Sequence, residues 1–277
     1  MSGLGPIDVT MLAGARQLLS FHAGELPQRD DLCGAFCGAL ALHAAGIDSR
    51  GGEPVDQDLL AQAAGSVVSR LRDPASLPAG EQGRRDYRLP PPQIDEPGLS
   101  GTTAEGLVGA IERVSDDQLA AIPYSGPWSA EALDGMFEVA ATLARPVTLV
   151  VNLATRDLWG SHPRPDQLLA YLLDGEQTGP PPDWDVGHFA CVVGRARGPG
   201  GHLYAVADTY PSLGSAGVHL QPRERLALAL ERPGMAPGGM IVVASPAEVQ
   251  LVRAGAARLG LAEQPWDNGT ISRATLT

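Results

Sequence analysis

Cysteine is scarce in this sequence, and that excludes a disulfide framework. Only three of the 277 residues are cysteines, namely Cys33, Cys37 and Cys191. Their odd number and their spacing fit no disulfide pattern of small secreted proteins, so the thiols are expected to be free in a reducing compartment. Met1 to Pro6 contain no basic region followed by an apolar core. We therefore expect a cytoplasmic protein without a secretory signal.

Positive charge and long apolar runs are also lacking. The 20 basic residues are outnumbered by 32 acidic ones, so the net charge is −12 and no basic surplus is left to neutralise phosphates. Nucleic acid and anionic membranes are therefore not expected as partners. No run approaches the roughly 20 apolar residues of a transmembrane helix. Arginine rather than lysine supplies the basic residues, and Ala, Gly and Pro are abundant, as is typical of proteins from GC-rich bacterial genomes.

Aromatic residues make up only 5% of the chain, whereas 34 glycines and 24 prolines predict extensive loops. The hydrophobic content of 44% is nevertheless sufficient for a full core. Because neither a repeat nor a shift in composition separates two cores, we expect one α+β domain over residues 1–277. The Pro-rich segments at about 73–101 and 154–187 are predicted to be loop insertions, and about 246–277 a C-terminal helix and tail.

Apolar periodicity and turn residues predict the secondary structure. Strands are predicted at 146–153, 187–194, 202–209 and 239–244, with the second and third forming a hairpin. Helices are predicted at 7–20, 33–45, 56–64, 102–111, 129–143, 166–173, 223–230 and 246–261.

The segment from Leu26 to Leu42 joins a polar turn to an apolar helix headed by Cys33. Asp30 and Asp31 precede this helix and are predicted to cap it. A cysteine in the first turn of a helix lies near the positive end of the helix dipole and near unpaired N–H groups, which favour the thiolate. Gln28 is close enough to place its amide beside the sulfur, where amide and Cys33 N–H would both donate to an oxyanion. The alternative is a buried structural cysteine.

Two downstream residues could supply the base for such a nucleophile. His188 begins one strand of the predicted hairpin, and Asp208 lies twenty residues later on the paired strand. The hairpin can bring both side chains to the same end, where Asp208 would hold one imidazole nitrogen while the other accepts the proton of Cys33. Taken singly, a hydrogen-bonded histidine at a strand end and a turn carboxylate are the structural alternatives.

Other groups of residues predict less. Cys33, Cys37 and His43 offer three metal ligands without a C-x-x-C pair, and no phosphate-binding or dinucleotide fingerprint is present, so neither a metal nor a cofactor is expected. Trp159 and Trp184 either line a substrate pocket or anchor their loop. The loop of His162 could fold over the cleft. Otherwise the remaining histidines have no partner pattern and are predicted to be surface or loop residues: His22, His162, His202 and His219.

The order of these residues resembles the papain-like cysteine peptidases. Gln28 precedes Cys33-Gly34 at the head of a helix, Gly187-His188-Phe189 lies on a later strand, and Asp208 lies on the next one. The C39-like and phytochelatin-synthase-like bacterial proteins look most similar, because there the aspartate strand leads to an extended segment and a helix, as His219 to Arg223 does here. The resemblance covers about 28–44 and 145–232.

This resemblance implies an α+β fold in which a helical half, headed by the nucleophile, packs on an antiparallel sheet with the cleft between them. It implies Cys33 as nucleophile, His188 as base and then acid, Asp208 as the residue that holds His188, and Gln28 as an oxyanion donor. Two features depart from the family. Its glutamine usually lies six residues before the nucleophile rather than five, and Cys37 is an alternative nucleophile, although burial inside an apolar helix disfavours its thiolate.

We therefore expect a cysteine-dependent acyl-transfer enzyme that forms an acyl-enzyme, either a peptidase or amidase or an acyl or peptidyl transferase. The expected substrate is a small peptide, amide or thioester, in a pathway of bacterial specialised metabolism. The alternatives are a catalytically inactive papain-like domain that serves as a binding module, and an α+β protein with a purely structural role.

Overall fold

An eight-stranded antiparallel sheet is the centre of the computed structural model, which describes residues 7–276. The helices and strands in chain order are β1 (Asp8–Met11), α1 (Ala15–Glu25), α2 (Cys33–Ala44), β2 (Ser49–Arg50), β3 (Glu53–Pro54), α3 (Gln57–Ala64), β4 (Val68–Ser69), β5 (Gln93–Ile94), α4 (Ala104–Val114), β6 (Ala120–Ser125), α5 (Ala130–Ala141), β7 (Thr148–Ala154), α6 (Pro165–Asp174), β8 (Gly187–Arg197), β9 (His202–Ala207), β10 (Val218–Pro222), α7 (Arg223–Glu231), β11 (Gly239–Ala244), α8 (Val249–Arg258) and β12 (Ala262–Glu263).

The strand order of the sheet is β10-β9-β8-β7-β11-β6-β12. Strand β8 is the longest, and its two halves have different partners on one side. Its first half pairs with β7, where Asn152 lies opposite Phe189, and its second half pairs with β1, where Met11 lies opposite Gly194. On its other side β8 forms the predicted hairpin with β9, with a register shift between Val192 and Gly194. The four predicted strands thus lie in one antiparallel sheet.

Helices cover both faces of this sheet. Because side chains alternate along a strand, Val150 of β7 points into the apolar layer formed with α1 to α4, whereas Leu149 and Val151 point into a second layer formed with α5, α7 and α8. On β8, Cys191 faces the first layer and Val192 the second. Burial on both faces explains why 148–154 is mostly apolar, with only Thr148 and Asn152 polar, and does not alternate. The molecule is therefore an α+β protein with a large antiparallel sheet.

The predicted helix at 7–20 is wrong over its first half. Asp8–Met11 is β1, and α1 begins only at Ala15, after Gly14 has taken a left-handed conformation with φ 88°. Five exposed or half-exposed residues without a buried stripe cannot hold a helical turn against the sheet, whereas β8 offers unpaired backbone groups to a strand. The sequence pattern does not predict strands β6 and β10, because each contains a proline.

Helix boundaries elsewhere follow the capping residues. Asp56 accepts a hydrogen bond from Leu59 N at 2.9 Å and so begins α3, and Ser129 accepts one from Ala132 N at 3.1 Å and so begins α5. The cap of α4 is Thr103, which accepts from Gly106 N at 3.0 Å, one residue later than the predicted Thr102. The loop at 154–187 contains α6, close to the predicted short helix at 166–173.

Among residues 7–276, no helix is both long enough and apolar enough to cross a membrane. The prediction about a secretory signal concerned Met1 to Pro6, which lie outside the described residues.

Candidate functional site

Cys33 is the first residue of α2 and lines a cleft of about 810 Å³. The residue before it, Leu32, is the N-cap and offers no side-chain acceptor, so the first N–H groups of the helix are not capped. Gly34 brings this turn close to its neighbours, because a Cβ at that position would lie 2.9 Å from Thr102 and 3.2 Å from Phe189. The positive end of α2 is therefore left to act on Cys33 and on whatever binds beside it.

The predicted capping by Asp30 and Asp31 is wrong. The Asp31 carboxylate accepts a hydrogen bond from Ser69 N at 2.7 Å, and Asp30 accepts from Arg84 N at 2.7 Å and from Arg85 Nε at 2.8 Å. Burial raises the pKa of Asp31, although the bond from Ser69 opposes this. Both aspartates thus attach the loop around residues 69–85 to the chain just before Cys33, and this loop forms one wall of the cleft.

His188 and Asp208 form a buried pair at the same cleft. His188 Nε2 and Asp208 Oδ1 are 2.9 Å apart, and the two side chains are 3% and 2% exposed. Burial by itself lowers the pKa of His188, but the Asp208 carboxylate and the Cys33 sulfur raise it from the ordinary 6.5 to about 10. Burial likewise raises the pKa of Asp208, but His188 and His219 hold it well below its ordinary range. Since Asp208 occupies Nε2, Nδ1 is the nitrogen left to exchange a proton with Cys33.

Gln28 is linked to this pair through Thr209. The Thr209 hydroxyl donates to Gln28 Oε1 at 2.6 Å and lies 3.3 Å from His188 Nε2, while Gln28 N donates to Thr209 O at 2.9 Å. Because the side-chain oxygen of Gln28 is used by Thr209, its NH₂ group is left as a donor, and Gln28 lines the cleft. The structure thus brings together all four predicted site residues.

A second histidine, His219, supports Asp208 from the other side. Its Nε2 lies 3.2 Å from Asp208 Oδ2, and its Nδ1 lies 3.0 Å from Gln221 Nε2. The Gln221 amide is fixed because Oε1 accepts from Trp159 N at 2.8 Å and Nε2 donates to Trp159 O at 2.9 Å. The Gln221 NH₂ therefore donates to Nδ1 of His219, which places the His219 proton on Nε2, facing Asp208.

His22 holds the backbone of the same aspartate. Its Nε2 lies 2.5 Å from the Asp208 carbonyl oxygen, and its ring packs edge-on against Phe36 at a centroid distance of 5.9 Å. Burial lowers the pKa of His22, and the nearby Asp208 groups oppose this only in part. A neutral His22 therefore donates from Nε2 and fixes the position of Asp208.

Two aromatic residues pack against His188. The Trp184 ring lies edge-on to the His188 imidazole at 4.9 Å, the Tyr210 ring stacks with the imidazole at 6.4 Å, and the Trp184 and Tyr210 rings are themselves 5.6 Å apart. Trp184 lines the cleft, so the pocket interpretation holds for it, whereas Trp159 is buried against Tyr171 and anchors its loop. These rings shield the His188–Asp208 pair from water, which strengthens their attraction.

Sequence reasoning missed the supporting residues of the site. His22 and His219 are buried at 1% and 5% exposure and contact Asp208, so their assignment to the surface is wrong. His219 and Gln221 alternate on β10, and Val218 pairs with Ala207, so recognising that strand would have placed His219 beside Asp208. His202 is also paired, with Asp134 at 2.9 Å. His162 is exposed and is not among the residues that line the cleft.

Cys37 lies one turn further along α2 and is fully buried in the core beside Cys191. Burial raises the pKa of Cys37 well above its ordinary value. His43 is the third of the possible metal ligands considered with Cys33 and Cys37. Its Nε2 lies 2.8 Å from the Val55 carbonyl, and its ring stacks on Phe21. Within residues 7–276, no cluster of three or more His, Cys, Asp or Glu side chains is arranged to hold a metal ion.

The described geometry brings together the components of nucleophilic catalysis. It contains a thiol at a helix N-terminus, an imidazole held by a carboxylate beside that thiol, an amide donor, and a cleft of a size that accommodates small ligands.

No curated protein matches the chain. One family model, described as "Family of unknown function (DUF6885)", matches residues 12–267, a span that includes Cys33, Gln28, His188 and Asp208. The chain therefore belongs to this family of unknown function, DUF6885.

Proposed function

We propose that the chain is a cysteine-dependent acyl-transfer enzyme that works through a Cys33 acyl-enzyme. The observation that carries this proposal is that Cys33 and His188 line one cleft, with Asp208 hydrogen-bonded to His188, and that both Asp208 and Cys33 raise the pKa of His188. An imidazolium that persists at neutral pH next to a thiol favours a thiolate–imidazolium pair. Such a pair is the nucleophile and the proton donor that acyl transfer requires.

In the first half-reaction the Cys33 thiolate attacks the acyl carbon, so that a C–S bond forms and the carbonyl oxygen becomes an oxyanion. The Gln28 NH₂ and the uncapped first-turn N–H of Cys33 are the donors placed to stabilise this oxyanion. The bond to the leaving amine or thiol then breaks, and Nδ1 of His188 donates its proton to the leaving group. Asp208 holds the imidazole throughout.

In the second half-reaction water or an amine gives its proton to His188 and attacks the acyl-enzyme. The C–S bond breaks and the thiolate returns. The same site therefore serves a peptidase or amidase as well as an acyl or peptidyl transferase, and the acceptor decides the outcome. The cleft of about 810 Å³ lies in the range of small-molecule sites, which supports a small peptide, amide or thioester as donor. The proposal includes a cytoplasmic pathway of specialised metabolism as the setting of this reaction.

The papain-like character of the fold is part of this proposal. It is supported by the chain order of Gln28, Cys33, His188 and Asp208, by the position of Cys33 at the start of a central helix, and by the antiparallel sheet that carries His188. The five-residue spacing of Gln28 and Cys33 is compatible with an oxyanion role, because Thr209 fixes the amide. The second helical layer, of α5, α7 and α8, lies on the face of the sheet away from α2.

An activated ester tests the proposal directly. With p-nitrophenyl acetate, we expect a burst of about one p-nitrophenolate per chain and an acetyl group that peptide mass spectrometry maps to Cys33. Cys33→Ser should abolish the burst, and the matched variant Cys37→Ser should keep it, because Cys37 is buried. A chain that gives no burst, or whose acetylation is unaffected by Cys33→Ser, would be a binding module or a structural protein rather than an enzyme of this class.

A further inference from the structure

Arg232 is a buried cation in the wall of the Cys33 cleft. Arg232 is the residue directly after α7. It is only 4% exposed, yet it lines the cleft together with Cys33, His188 and Asn152. Within residues 7–276 no carboxylate pairs with it: the ionisable groups that act on it are Cys33 and Arg156. Buried charges in proteins are normally paired, so an arginine without an anion calls for a ligand.

One edge of the Arg232 guanidinium is used and the other is free. Both of its hydrogen bonds within the described residues come from Nη1, to Asn152 Oδ1 at 2.5 Å and to Pro237 O at 3.2 Å, whereas Nε is buried without a partner. Nε and Nη2 form the edge that binds a carboxylate through two parallel hydrogen bonds. Gly187 makes room on this edge, because a Cβ there would lie 2.4 Å from Nη2.

The protein itself makes this position costly. Burial lowers the pKa of Arg232, Cys33 opposes this, and Arg156 lowers the pKa further. Arg232 also has φ 51°, a left-handed conformation that favours glycine at the end of a helix. Since an arginine stays charged in proteins, the guanidinium needs a neighbouring anion. The Cys33 thiolate can be that anion only before acylation, because formation of the C–S bond removes its charge.

We propose that Arg232 binds a carboxylate of the acyl donor, so that the substrates are small acyl compounds with a carboxylate close to the reacting carbonyl. This inference rests on the proposed function, since it places the anion in the cleft of a Cys33 acyl-enzyme. The free Nε–Nη2 edge receives the carboxylate, Asn152 holds the opposite edge, and Trp266 fixes Asn152 through a hydrogen bond from Nε1 at 3.2 Å. Arg232 is thus the specificity determinant of the site.

A matched pair of alkylating reagents tests this without knowledge of the substrate. Iodoacetate has a carboxylate where iodoacetamide has an amide. In both reactions a bond forms between the Cys33 sulfur and the CH₂ carbon, iodide leaves, and the sulfur carries a carboxymethyl or a carbamoylmethyl group. We expect Arg232→Gln to lower the ratio of the iodoacetate rate to the iodoacetamide rate about tenfold, the effect of one charge-assisted hydrogen-bond pair. Arg232→Lys should give an intermediate ratio, because it keeps the charge but loses the fork.

Arg72→Gln is the control, because Arg72 is exposed and lines the same cleft. It removes the same charge and should change the ratio by less than about twofold, owing to solvent screening. A ratio that is equal in wild type and in both Arg232 variants would overturn the inference while leaving Cys33 as nucleophile. Slow alkylation of wild type by both reagents would instead contradict the proposed function.

Protection against iodoacetamide by small anions gives a second readout. Acetate should slow alkylation in a saturable way that Arg232→Lys weakens, whereas inorganic phosphate at the same concentration should be less effective, because the planar guanidinium edge is filled by a planar carboxylate. Protection by phosphate alone, or by neither anion, would contradict a carboxylate site.

Discussion

The first two turns of α2 place two cysteines in opposite surroundings. Cys33 lies at the N-terminus, half-buried in the wall of the cleft and beside a histidine whose pKa is raised to about 10. Cys37 lies one turn later, is not exposed at all, and packs in the apolar layer against Cys191. Burial raises the pKa of Cys37, because a thiolate in an apolar layer loses its hydration without gaining a partner.

One helical turn thus separates a nucleophile candidate from a core residue, and the helix is not what differs between them. Both cysteines have helical backbone geometry within the same apolar run. What differs is the residue of β8 that each one meets: β8 presents His188 near Cys33 and the apolar Cys191 near Cys37. The reactivity expected of Cys33 therefore comes from a tertiary contact, with the helix dipole as a smaller contribution.

Removing His188 should break this contrast most strongly. In His188→Gln the imidazolium is lost, so Cys33 should react like an ordinary thiol, of which only a few per cent is thiolate at neutral pH. We expect its alkylation by iodoacetamide near pH 7 to slow by about 10–100-fold. Stopped-flow or quenched mass spectrometry measures the rate, and His202→Gln, which affects a histidine paired with Asp134, should leave it unchanged. Equal rates in wild type and His188→Gln would show that the imidazole does not activate Cys33.

A hydroxyl at each cysteine position compares the two turns by stability instead of reactivity. Cys37→Ser places a hydroxyl in the apolar layer and should lower the free energy of unfolding by about 1–3 kcal/mol. Cys33→Ser places the same group at a half-buried position in the cleft wall, where water can reach it, so the loss should be smaller. Denaturant unfolding measures both values. A larger loss for Cys33→Ser would mean that Cys33 has the greater structural role.

The arrangement of Cys33, His188 and Asp208 could be predicted from the sequence because local signals place each residue. Cys33 heads an apolar run without charge or proline, and a hairpin pattern places His188 and Asp208 at one end of two strands. The structure brings these together, although the pairing itself begins only at Cys191 and Ala207, so both residues extend beyond the paired part of the hairpin.

The rest of the site depends on contacts between segments that are far apart in sequence. His219 contacts Asp208 only because β10 adds to β9, and β10 has the proline and polar residues of a loop. His22 reaches the Asp208 carbonyl from a helix 186 residues earlier. Arg232 reaches the cleft because it adopts a left-handed backbone conformation at the end of α7. No local pattern of this sequence predicts that conformation. Such contacts depend on packing, which a single sequence does not display.

His22, which contacts the Asp208 carbonyl from the core, and His188, which contacts the Asp208 carboxylate at the cleft, should respond to pH in opposite ways. This effect on the free energy of unfolding should be the smallest of those predicted. The folded-state pKa of His22 is lowered, so below about pH 6.5 the unfolded chain gains a proton that the folded chain does not, and stability falls. The folded-state pKa of His188 is raised, so its stabilisation is complete below about pH 6.5 and is lost as the pH rises through about 10.

The loss of unfolding free energy caused by His22→Gln should therefore be smaller at about pH 5.5 than at about pH 8. The loss caused by His188→Gln should be smaller at about pH 10 than at about pH 5.5. If the loss of unfolding free energy caused by His22→Gln grew as the pH fell, His22 would be protonated in the folded chain. His22 would then behave like His188.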